Sequence, residues 1–194
     1  MKVLGSLTRL FKKRPPPLAE EKRRWLEGYA AYVEGKKQYP DGDDEIALTL
    51  FDMAIDLGVK EVGLFSCRGG CLQALDYHLD AIDDFNSAIA LDPEDANLYF
   101  QRAISKSGAG DIDGAISDIE SAVVLSKIVS ELNREYDRYQ RQIGWPNGYT
   151  PFLTSQLELY KLHREVTQQN PELMHIIDKS KPKRVPLLGE HNLH

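Results

Sequence analysis

The sequence predicts an all-α protein, a superhelix of three tandem helical hairpins followed by C-terminal capping helices. Three observations predict it. An apolar stripe recurs every 34 residues, a column of small residues recurs at the same interval, and turn residues separate the two.

The stripe consists of Ala47, Phe51 and Ala54, then Ala81, Phe85 and Ala88, then Ala115, Ile119 and Ala122. Spacings of four and then three place each set on one face of a helix. Leu48, Ile82 and Ile116 keep the shift, as do Ile55, Ile89 and Val123, and Leu57, Leu91 and Leu125. The small column is Gly35, Gly69 and Ala103, with Ala31, Phe65 and Tyr99 one helical turn earlier. A small residue halfway along a first helix lets the second helix approach closely. Asp41, Gly42 and Asp43 mark one turn within a hairpin, and Gly108 to Asp111 mark another. Asp92-Pro93 ends a helix, because proline cannot continue it.

This pattern resembles the tetratricopeptide repeat family. In that register the units are 28–61, 62–95 and 96–129, which is 102 of 194 residues. The third unit fits through Leu98, Tyr99, Ala103, Ala115, Ile119 and Ala122. The second fits through Phe65, Gly69, Leu72, Ala81, Phe85, Ala88 and Pro93. The first departs at Gln38, where an aromatic is usual, and at Val59, where proline is usual.

The resemblance implies a concave groove, lined by the first helix of each unit, that binds a protein or peptide. Its candidates in the first unit are Tyr29, Tyr32 and Lys36. The second unit contributes Gly63, Ser66, Cys67 and Gly70, and the third Asn97, Phe100, Gln101 and Ile104. Tyr32 and Phe100 suit peptide recognition, since aromatics bury area at small entropic cost. The alternative is that some of these residues pack under flanking helices. Family members that hold chaperone C-termini use a clamp of Lys and Asn, then Asn, then Lys and Arg. Here those positions hold Tyr32, Lys36, Cys67, Asn97 and Gln101. A terminal carboxylate needs converging cations, so this clamp is not expected.

Residues 1–27 read as a basic arm and lead-in, with eight Lys/Arg against three Glu. Leu4, Leu7, Leu10 and Phe11 fall on one side of a helix over about 2–13, and Pro15-Pro16-Pro17 is a stiff spacer. Residues 1–14 are either a peripheral membrane or partner contact, a strip docked on the protein's own acidic array, or a disordered start. Residues 130–178 read as capping helices, which an array needs over its end face. Leu132, Tyr136, Tyr139 and Ile143 form one stripe, and Leu153, Leu157, Tyr160, Leu162 and Val166 another. Trp145 to Gly148 is a turn between them, and Pro171 to Asp178 could add a short helix. Residues 179–194 read as an extended or mobile tail.

Charge narrows the partners. Residues 28–129 carry seven basic and nineteen acidic side chains. That block repels nucleic acid and favours a protein surface of basic or mixed charge. No stretch approaches the roughly 18 uninterrupted apolar residues of a membrane span. Two cysteines imply no disulfide framework, and the expected location is the cytoplasm.

The sequence offers no catalytic constellation. Cys67 and Cys71 share a helix face, but a metal site needs about four ligands and no histidine is near. Cys71 reads as a packed thiol and His78 as structural. His163, His175, His191 and His194 lack ligand spacing. No cofactor and no metal are expected. The expectation is a non-catalytic scaffold or adaptor. The alternatives are a dedicated chaperone or inhibitor of one cognate protein, and a membrane-recruited assembly factor that uses the N-terminal segment.

Overall fold

The computed structural model describes residues 19–39, 43–132 and 148–170. Its helices are α1 (Glu20–Gln38), α2 (Asp44–Asp56), α3 (Val62–Ala74), α4 (His78–Leu91), α5 (Ala96–Gly108), α6 (Ile112–Leu132) and α7 (Tyr149–Gln169). They pair in chain order into three hairpins, α1/α2, α3/α4 and α5/α6, and α7 packs on α6.

Charge and turn chemistry set the helix ends. Glu20 and Glu21 open α1 and Lys36 and Lys37 close it, each matching the helix dipole. That helix begins eight residues ahead of Gly28, so it crosses the border between lead-in and first unit. The Asp95 carboxylate accepts the Asn97 N–H at 2.8 Å and caps α5. Helices α2, α3 and α5 end alike. Val59 N–H donates to Ala54 C=O, Tyr77 N–H to Leu72 C=O, and Asp111 N–H to Lys106 C=O. Each such turn needs one residue at positive φ. Gly58 (90°) and Gly110 (88°) supply it freely, and Asp76 (63°) supplies it at some cost in strain.

The small-residue column does what its spacing predicts. The Phe51 ring lies over Gly35, where a Cβ would come within 2.7 Å of it. The Phe85 ring lies over Gly69, where a Cβ would sit 3.0 Å away. In the third hairpin Ala103 and the slimmer Ile119 are both fully buried. Burial of each such side chain stabilises by about 1.5–3 kcal/mol.

Helix α6 runs to Leu132, well beyond the length of α2 or α4. Helix α7 packs along α6 from Ser126 back to Asp113. Thr150 Oγ1 donates to Ser126 Oγ at 3.0 Å, Lys161 pairs with Glu120, and Arg164 pairs with Asp113. Partner numbers fall along α6 as they rise along α7, so the two helices are antiparallel. Leu153 and Leu157 of α7 join Ala115, Ile119 and Ala122 in one core. The expected helix over 2–13, the turn at Asp41-Gly42, the stripe at Tyr136, Tyr139 and Ile143, the turn at Trp145, the helix at Pro171 to Asp178 and the tail all lie outside the described residues.

Candidate partner-binding surface

The seams between hairpins decide which side chains stay open. Each seam is crossed by an arginine. Arg68 on α3 donates to both oxygens of Asp84 on α4 and, at 2.7 Å, to Asp52 on α2. Arg102 on α5 donates to both oxygens of Asp118 on α6 and, at 2.7 Å, to Asn86 on α4. These are the same three positions moved by 34 residues. Burial by itself would lower the pKa of Arg68, but Asp84 and Asp52 hold it above its ordinary value. Burial pushes the Asp84 carboxyl up while Arg68 pulls it down. The sequence carried this signal as three columns, Asp52/Asn86, Arg68/Arg102 and Asp84/Asp118, which the apolar pattern overshadowed.

Beside the arginines, the seams are filled by residues expected to line the groove. Tyr32 is only 7% exposed. Its ring packs 6.3 Å from Phe51 and its hydroxyl lies against Gly63. Tyr32 therefore joins α1 to α3 and presents almost no surface. Tyr39, half-buried, makes the matching contact about two helical turns later, with its hydroxyl against Gly70. Phe100 is half-buried, edge to face with Phe152 of α7 at 5.3 Å. Asn97 is exposed but accepts from the Tyr149 hydroxyl at 3.4 Å. Cys67 is half-buried against the first hairpin's core, and burial raises its thiol pKa. Cys71 is fully buried, its thiol pushed up to about 12 chiefly by burial. Neither thiol is primed for nucleophilic chemistry.

The open part lies at the α1 end. Tyr29 stacks on Trp25 with ring centroids 5.1 Å apart, and both are 39% exposed. Tyr29 meets Tyr32 edge to face, and the Lys36 ammonium sits 5.4 Å from the Tyr32 ring centroid. The result is one aromatic and cationic strip along α1. Sequence reasoning missed Trp25, although it stands one turn before Tyr29 on the same face. Ser66, Gln101 and Ile104 are half-buried along the continuing face of α3 and α5. Among the described residues no group of His, Cys, Asp and Glu is arranged to hold a metal. None of the described helices is long and apolar enough to cross a membrane.

Three stacked hairpins with small-on-large contacts inside each, and a further helix packed on the last of them, form the all-α array of the tetratricopeptide repeat fold. Within that class the chain is similar to tetratricopeptide repeat protein 36 of Danio rerio. The two are 37% identical over 87 residues, which make up 43% of this chain and 42% of that protein. The match therefore spans less than half of the relative's length. Among solved structures, a T3SS complex from Aeromonas hydrophila aligns at 25% identity and a TM-score of 0.58, covering 71% of this chain and 83% of that one. PcrH in complex with the chaperone binding region of PopD aligns at 20% identity and a TM-score of 0.58, covering 76% and 97%. No family model matches the sequence.

Proposed function

We propose that this protein is a non-catalytic scaffold that holds a protein or peptide partner against the concave side of its array, in the cytoplasm. The observation that carries this reading is the exposed Trp25–Tyr29 stack continued by Lys36 on α1. Stacked aromatics held on a rigid helix bury area at small entropic cost, as binding hot spots do. Ser66, Gln101 and Ile104 extend the strip, with Cys67 and Asn97 at its margins. Phe100 and Tyr32 support it from beneath. PcrH, which shares the fold, is seen in complex with the chaperone binding region of PopD, and that supports a peptide-binding use of the array.

The partner has mixed charge. The strip's only charged member is Lys36, while the array as a whole is strongly acidic. An apolar or aromatic segment would lie in the groove, with basic groups at the acidic rim.

Affinity capture by the full chain from the cells that make it, followed by mass spectrometry, tests the reading. The double variant Trp25→Ala/Tyr29→Ala should fold and lose its specific partner. Unchanged capture by the folded variant sinks the groove reading.

A further inference from the structure

The N-terminal end face of the array is built differently from the equivalent faces further along. The seams identify which columns meet a preceding hairpin. Arg68 and Arg102 do so by reaching Asp52 and Asn86, and each also holds a carboxylate of its own hairpin, Asp84 or Asp118, beside the seam. Cys67 does so by packing on the first hairpin's core. One repeat earlier, the arginine column holds Glu34, which pairs with Lys37 on its own helix, and the other two columns hold Leu50 and Val33. Leu50 shares its stripe of α2 with Ile46 and Met53. The later hairpins have Asp80 and Ser87, then Gly114 and Ser121, at those two positions. Positions that are polar or glycine in the later hairpins are thus apolar in the first. No hairpin precedes α1 among the described residues, so Val33, Ile46 and Met53 stand 41%, 54% and 49% exposed.

The α2 side of this face, which supplies three of its four residues, is acidic. Helix α2 carries Asp44, Glu45 and Asp56, besides Asp52 held by Arg68 in the seam, and no Lys or Arg. An occupant must therefore be apolar on one side and basic around it. A second copy of the same face would bring like charges together. The segment just ahead of α1 has the required composition. Leu7, Leu10 and Phe11 share one helical stripe with Leu4, among Lys2, Arg9, Lys12, Lys13 and Arg14, and no acid occurs before Glu20. Fourteen helical residues span about 21 Å, close to the length of α2. Pro15-Pro16-Pro17 covers about 9 Å as a polyproline spacer, the usual distance between packed helix axes.

We propose that residues 1–14 dock as a basic amphipathic helix on the end face formed by Val33, Ile46, Leu50 and Met53. The segment takes the place that another hairpin would occupy in a longer array.

Carbodiimide cross-linking of the full chain, as an equal mixture of ¹⁴N- and ¹⁵N-labelled protein, tests this. Lys12 and Lys13 should bond to Asp44, Glu45 or Asp56, and each linked pair should carry a single isotope. The yield should fall about tenfold or more in Phe11→Asp and in Met53→Asp, because a carboxylate opposes burial. Phe11→Asp alters only the arm, so it stays informative if Met53→Asp fails to fold. Mixed-isotope pairs would assign the face to a second copy and overturn the proposal. So would links that are absent, or links that persist in Phe11→Asp. Flotation of the chain on anionic vesicles without these links in solution would overturn it in favour of a membrane contact.

Discussion

The seam between the first and second hairpins and the seam between the second and third share a geometry and differ in chemistry. In the first seam, Tyr32 and Tyr39 lie on Gly63 and Gly70. In the second, Gln73 Nε2 donates to Ser105 Oγ at 2.8 Å and to Gln101 C=O at 3.1 Å. The arginines differ as well. Among the described residues Asp84 is held by Arg68 alone, whereas Asp118 is shared by Arg102 and Lys106, the latter at 2.9 Å. A fixed repeat therefore dictates where seam residues stand, and leaves open how they meet. The first seam is aromatic, and its buried carboxylate, Asp84, has a single cationic partner among the described residues. The second is polar and redundant.

The largest test of that contrast is the arginine pair. Arg68→Ala should cost about 3–5 kcal/mol in urea unfolding, because Asp84 is left buried and uncompensated. Arg102→Ala should cost only about 1–2 kcal/mol, since Lys106 still satisfies Asp118. Equal losses would break the distinction. The pH dependence sharpens it. Asp84 already has a raised pKa, and removal of Arg68 raises it further. A raised folded pKa means that the folded state holds the proton more tightly than the unfolded chain. The penalty of Arg68→Ala should then shrink as pH falls toward the ordinary aspartate range and be full at neutral pH. A penalty that does not change with pH would point to lost packing instead.

A smaller effect tests the aromatic seam. Gly70→Val should cost about 1–3 kcal/mol by overpacking, because the Tyr39 hydroxyl occupies the space of the new Cβ. Tyr39→Ala in the same chain should recover part of the loss, and thermal unfolding of the three variants reads this. The smallest effect belongs to the polar seam. Gln73→Ala should cost about 1 kcal/mol, leaving the fully buried Ser105 hydroxyl without its donor. A double-mutant cycle with Ser105→Ala measures the coupling, and zero coupling would remove the bond from the account.

The hairpin cores were legible in the sequence. The Phe51-on-Gly35 and Phe85-on-Gly69 contacts follow from the 34-residue register, because helical periodicity fixes which residues share a face. The helix-ending turn at Gly110 was legible for the same reason, through its local glycine and aspartate signals. Which of the expected groove residues are exposed was legible only in part. Tyr29 and Lys36 lie on the open strip, whereas Tyr32, at an equally groove-like register, is buried. Helical phase gives the direction of a side chain relative to its own axis. It does not say how closely the next hairpin approaches along that direction. That approach depends on Gly63, which lies 31 residues from Tyr32 in sequence and touches it in space.

The sequence by itself determined the class of fold, the number of hairpins, the cores within them and the acidic character of the array. All of these rest on local periodicity and composition, which survive without knowledge of neighbours. Only the tertiary structure decided which predicted binding residues face solvent, which carboxylate each arginine reaches, and that α7 covers Phe100. Those outcomes depend on distances between residues far apart in the chain. At those distances, a missing side chain at one glycine decides whether a tyrosine is surface or core.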